Sequence, residues 1–68
     1  MPVNITVNGQ KQTLETATDI TALLKKLNIP AQSVVVERNL EILHRDRFDQ
    51  VVLEDGDELE LIRFVGGG

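Results

Sequence analysis

The residues Ile20, Leu23, Leu24 and Leu27 constrain this chain more than any other feature. They fall at i, i+3, i+4 and i+7, the spacing that lines one face of an α-helix. Thr18 or Asp19 can accept hydrogen bonds from the free N–H groups at the helix start. Lys25 and Lys26 suit the negative end of the helix dipole, Asn28 can end the helix in the left-handed region, and Pro30 forbids its continuation. The stripe has no helical counterpart elsewhere. The helix must therefore lay its apolar face on a sheet.

The rest of the chain supplies the strands. Val3, Ile5 and Val7 alternate with Asn4 and Thr6, the period of a half-buried strand. Asn8-Gly9 is a hairpin signal because both residues tolerate positive φ, and Lys11 to Leu14 reads as the returning strand. Val34-Val35-Val36 is β-branched and short, a central strand. Arg38-Asn39 reads as a turn and Glu41-Ile42-Leu43 as a short edge strand. His44 to Gln50 has no clear period and reads as a loop or single helical turn anchored by Phe48. Val51-Val52-Leu53 leads to a turn at Glu54-Asp55-Gly56-Asp57, where Gly56 supplies positive φ. The final strand, Glu58 to Val65, alternates Leu59 and Leu61 against Glu60 and Ile62. This order predicts an α+β domain: a mixed sheet with one main helix packed across it and at least one parallel, right-handed crossover.

Sixty-eight residues make one small domain, whose core rarely supplies more than about 3–5 kcal/mol of net stability. The net charge is −4, and the seven Lys and Arg residues are interleaved with acids. No basic stripe exists to neutralise phosphates, so nucleic-acid binding is not expected. No apolar run approaches the roughly 20 residues of a membrane span. Met1-Pro2-Val3-Asn4 lacks the basic start and apolar stretch of a signal peptide, so the expected location is the cytoplasm. Cysteine is absent, which excludes disulfides, thiolate catalysis and cysteine-based metal sites. Asp46, Asp49, Glu54, Asp55, Asp57 and Glu58 do not follow the calcium-loop pattern and read as a solvated turn. His44 reads as a surface histidine. Gly9 and Gly56 are isolated, and no helix follows the terminal glycines, so there is no phosphate-binding loop. The side chains do not describe an enzyme.

The end of the chain, Arg63-Phe64-Val65-Gly66-Gly67-Gly68, reads differently. Terminal glycines contribute no packing side chain and resist ordering. What they offer is a thin backbone reaching about 10 Å at roughly 3.3–3.6 Å per residue, ending in a carboxylate. The plain alternative is a frayed terminus or a linker. If Leu59 and Leu61 face the helix, Ile62 and Phe64 point to the other side of the sheet. There they either form a contact patch or lie under a neighbouring loop.

The whole chain resembles the ThiS family, the sulfur-carrier proteins of thiamine biosynthesis. The resemblance rests on the length, the Asn8-Gly9 hairpin, the Asp55-Gly56-Asp57 turn before the last strand, and the terminal Gly67-Gly68. The related molybdopterin-synthase small subunit commonly has prolines just before its Gly-Gly, where this chain has Phe64-Val65-Gly66. The resemblance implies a ubiquitin-like β-grasp domain over residues 1–65, its last strand central and parallel to the first, with a flexible tail over 66–68. It implies that Gly68 is the point of covalent attachment, as an acyl-adenylate and then a thiocarboxylate. Gly66 and Gly67 would complete the tail, and Ile62, Phe64 and Val65 would bind partners. No bound cofactor or metal is implied, since ATP and Mg are used by the partner. The implied partners are a ThiF-like adenylating enzyme, a sulfur donor protein and a ThiG-like thiazole synthase. A carrier serving molybdopterin or amino-acid biosynthesis, a non-covalent β-grasp interaction module and a ubiquitin-like protein modifier remain alternatives.

Overall fold

The computed structural model describes residues 2–64. Strand β1 (Val3–Val7) and strand β2 (Gln10–Leu14) form an antiparallel hairpin. Asn8 and Gly9, with φ of 50° and 81°, turn the chain between them, as a two-residue hairpin loop matched to the strand twist requires.

Helix α1 (Ile20–Lys26) follows. The Asp19 carboxylate accepts from the N–H of Ala22 at 2.8 Å and caps it. At the other end Asn28 sits at φ 59°. The Asn28 N–H donates to Lys25 O and the Ile29 N–H to Leu24 O, which is the Schellman arrangement with asparagine in the glycine position. Ile20, Leu23 and Leu24 are buried and Leu27 is partly buried.

Beyond a 3₁₀ turn at Ala31–Ser33, strand β3 (Val34–Arg38) and strand β4 (Glu41–Leu43) form a second antiparallel hairpin. The turn lies one residue later than the sequence suggests: Asn39 and Leu40 carry positive φ, and Arg38 belongs to the strand. A 3₁₀ turn at Arg45–Arg47 precedes buried Phe48, as expected for an anchored turn. Val51-Val52-Leu53 forms no strand. Val52 makes an isolated bridge to Asp19, and the Leu53 N–H donates to Thr18 O while its side chain enters the core.

Strand β5 (Glu58–Arg63) comes last and lies in the middle. The sheet order is β2-β1-β5-β3-β4, with β5 parallel to β1 and antiparallel to β3. Ile5, Val7, Leu14, Val34, Val36, Leu59 and Leu61 form the inner face, and α1, Phe48 and Leu53 cover it. This is the ubiquitin-like β-grasp arrangement, with the last strand where the resemblance implies.

Candidate functional site

The site is built around the exit of β5. Alternation along the strand sends Leu59 and Leu61 inward and Glu58, Glu60 and Ile62 outward, because successive side chains leave a pleated strand on opposite sides. Ile62 lies opposite Val35 in the β3–β5 register. It is 48% exposed, and Phe64, next on the same side, is 47% exposed. On β4, Ile42 is the outward residue and is also exposed. The outer face therefore presents an apolar group at the end of the sheet where β5 leaves it.

Two hydrogen-bonding devices fix this exit. On the β1 side, strand pairing stops at Val7, but the Asn8 side chain extends it. Its Oδ1 accepts from the Leu61 N–H at 2.8 Å, and its Nδ2 donates to Leu61 O at 3.3 Å. One carboxamide thus stands in for a further residue of the ladder. On the β3 side, the Phe64 N–H donates to Ser33 O at 3.1 Å. The backbone is held as far as Phe64.

The entrance to β5 is held by Asp57. The sequence places it among solvated acids, but only 5% of it is exposed. Its carboxylate accepts from Arg38 Nε at 2.9 Å, from Asn39 Nδ2 at 3.0 Å and from the Glu54 N–H at 2.9 Å. Burial alone pushes the Asp57 carboxyl up. The Glu54 N–H, the Asn39 amide and the Arg38 guanidinium outweigh that and hold it below its ordinary pKa. Asn39 also accepts from the Glu58 N–H through Oδ1. The turn Asn39-Leu40, the turn at Gly56 and the start of β5 are thereby tied together. The Asp-Gly-Asp segment was legible as a turn, but nothing in its spacing marks the second aspartate as buried.

His44 is exposed beside the second 3₁₀ turn. Among the described residues no group of three His, Cys, Asp or Glu side chains is placed to hold a metal ion. No helix of the described residues is long and apolar enough to cross a membrane. Val65, Gly66, Gly67 and Gly68, which carry the expected attachment point, the tail and part of the expected contact surface, lie outside the described residues. So does the expected boundary between domain and tail.

Three comparisons bear on this geometry. The sequence model of the ThiS family matches residues 4–68. Sulfur carrier protein ThiS of Bacillus subtilis (strain 168) is 44% identical over 46 residues, covering 68% of this chain and 70% of that protein. The thiazole synthase of Paramagnetospirillum magneticum is 38% identical over 66 residues, or 97% of this chain. The chain spans only 20% of the length of that enzyme, so a ThiS-like segment is one part of it. Among solved structures, the crystal structure of the thiamine biosynthesis protein ThiS from Geobacter metallireducens superposes with a TM-score of 0.82. It is 40% identical, over 97% of this chain and all of that one. Sheet order, the central last strand and sequence agree, and this chain belongs to the ThiS family of sulfur-carrier proteins of thiamine biosynthesis.

Proposed function

We propose that the carboxylate of Gly68 is the working group of this protein and that the folded domain serves to present it. The reading rests on one observation: β5 is central in the sheet and held up to Leu61 on the β1 side and up to Phe64 on the β3 side, with Val65-Gly66-Gly67-Gly68 following in sequence. A carboxylate is ionised at neutral pH, with a pKa near 3.5, and is a poor electrophile. A ThiF-like enzyme would use MgATP to activate it. A carboxylate oxygen attacks the α-phosphorus, the bond to pyrophosphate breaks, and an acyl-adenylate forms at Gly68. A donor that supplies sulfur at the sulfide level then attacks the acyl carbon, a C–S bond forms as the C–O bond to AMP breaks, and a thiocarboxylate remains. Gly67 and Gly68 lack Cβ atoms, which lets the tail thread a narrow channel with its carbonyl open to attack.

The likeness to thiazole synthases supports delivery of that sulfur to an enzyme of this kind, where the thiazole ring of thiamine is built. In this reading the protein is a co-substrate of its partners in the cytoplasm, and Ile62, Phe64 and Val65 form the docking patch. The test is the intact mass after incubation with MgATP, the adenylating enzyme and a sulfur donor. A gain matching replacement of one oxygen by sulfur, localised to Gly68, is expected. No gain, with a demonstrably active partner and a free C-terminus, refutes the carrier chemistry and leaves a non-covalent module.

A further inference from the structure

We propose that the backbone carbonyl of Ser33 is a positioning group for the reaction at Gly68: by holding the Phe64 N–H it fixes where the held strand ends, and so limits the chain that enters the activating enzyme to residues 65–68. The inference rests on the reading of the Gly68 carboxylate as the working group and specifies what sets its distance from the domain.

The Ser33–Phe64 bond lies outside both strands. Strand β3 begins at Val34 and β5 ends at Arg63, and these two residues stand opposite each other. The 3.1 Å bond from the Phe64 N–H to Ser33 O is therefore one rung more than the strands supply. The 3₁₀ turn at Ala31–Ser33 supplies it. Pro30 leads into this turn at φ −66°, the value its ring imposes. The Pro30 carbonyl then accepts from both the Ser33 N–H and the Ser33 hydroxyl, each at 3.1 Å. Two bonds to one acceptor fix Ser33 and so aim its carbonyl. On the β1 side, no hydrogen bond among the described residues reaches beyond Leu61. Ser33 alone decides whether the chain is fixed at Phe64.

The fold has little to gain from this rung. Phe64 is half exposed, so ordering it adds little burial, and fixing a residue's backbone costs as much as one hydrogen bond returns. Presentation of the terminus does gain from it. Antiparallel alternation makes Val35–Ile62 the next hydrogen-bonded pair inward. Without the Ser33 bond the released chain begins at Arg63, six residues instead of four. Its reach grows from roughly 13–14 Å to roughly 20–22 Å. The local concentration of a tethered group falls with about the −3/2 power of tether length, here about twofold. Gly66, Gly67 and Gly68 bring no side chain that could restore the register inside a channel. The register has to come from the last fixed residue.

The probe is the MgATP-dependent adenylating enzyme, read by pyrophosphate release. Phenyllactate at position 64 replaces the amide by an ester, which removes the N–H and keeps the benzyl side chain. The Arg63 carbonyl, which the ester weakens, points away from β3. The expected kcat/KM falls about twofold or more, while the thermal midpoint stays within about 2 °C of wild type. Two glycines inserted after Val65 lengthen the chain to six residues with Phe64 still anchored, and produce the same loss. In the wild type, the Phe64 amide exchanges at least about tenfold more slowly than in an unstructured chain. An ester variant with unchanged kcat/KM overturns the positioning role, and so does a silent glycine insertion or an unprotected Phe64 amide. A midpoint lowered by many degrees overturns it too, by showing that the rung serves the fold. No pyrophosphate release from the wild type itself removes the reading of Gly68 as the working group, and this inference with it.

Discussion

Replacing Asn8 separates the two roles that one residue plays. Its backbone is left-handed at φ 50°, and its carboxamide bonds both the N–H and the C=O of Leu61 in the central strand. A partly buried hydrogen bond contributes about 0.5–1.5 kcal/mol, and a donor left unsatisfied costs about 1–3 kcal/mol. The 2.8 Å bond to the Leu61 N–H outweighs the 3.3 Å bond to its carbonyl. Asn8→Gly removes the carboxamide but keeps the backbone relaxed, and its expected loss is about 1–2 kcal/mol. Asn8→Ala adds the left-handed penalty of about 1–2 kcal/mol, for roughly 3 kcal/mol in all. Against a net stability of about 3–5 kcal/mol for a core this size, that is most of the total. Urea denaturation followed by circular dichroism measures both. With a slope near 1 kcal/mol/M, the glycine variant shifts the midpoint by about 1–2 M and the alanine variant by about 3 M. Asn8→Asp keeps the acceptor but sets a carboxylate against Leu61 O, and falls nearer to alanine than to glycine. A glycine variant as stable as wild type would falsify the ladder-extension account, because it would leave only the turn conformation as the role of Asn8.

Further expected outcomes rest on other parts of the molecule. Asp57→Asn sets an amide donor against the donors of Glu54, Asn39 and Arg38 and lowers stability by roughly 2–3 kcal/mol at neutral pH, read as a fall in urea midpoint. The native Asp57 carboxyl lies below its ordinary pKa. Its contribution is therefore fully present above the unfolded value of about 3.9 and fades as pH falls below it. The urea midpoint of the wild type should accordingly drop more steeply from about pH 5 downward than that of Asp57→Asn. Leu23→Ala opens a cavity in the fully buried helix face and costs about 2–5 kcal/mol, enough to leave much of the protein unfolded by circular dichroism at room temperature. Gly68→Ala keeps the thermal midpoint within error of wild type but abolishes most pyrophosphate release by the adenylating enzyme; equal release counts against the narrow channel.

The helix and both hairpins were legible because each rests on local rules. Ile20, Leu23, Leu24 and Leu27 carry the helical period, Asn8-Gly9 names its own turn, and Asn28 before Pro30 marks the helix end. Asn39-Leu40 was less so. Leucine is a poor candidate for positive φ, and the pairing of Arg38 with Glu41, together with the long-range bonds from Asn39 to Asp57 and Glu58, holds the turn there. Asp57 and Asn8 escaped for one shared reason: apart from the Glu54 N–H, their partners lie 18 to 53 residues away in sequence, and no periodicity reports a contact of that kind. The outward direction of Ile62 and Phe64 followed from strand alternation. The bond between Ser33 and Phe64 needed the β3–β5 register, which a sequence does not print.

The central position of β5 bears on how the chain acquires its shape during synthesis. Until residues 58–63 are available, the β1–β2 hairpin and the β3–β4 hairpin share no strand, for β5 is the element that lies between them. Joining β1 to β5 closes a loop of some fifty residues, a step with a high entropic barrier and a slow rate relative to local hairpins. A ribosome-bound or prematurely ended chain therefore holds two loose hairpins and an uncovered helix, a species open to proteolysis. A molecule that has reached the native state has necessarily been translated to within a few residues of Gly68. Folding itself thus selects against chains truncated before the strand that leads to the tail.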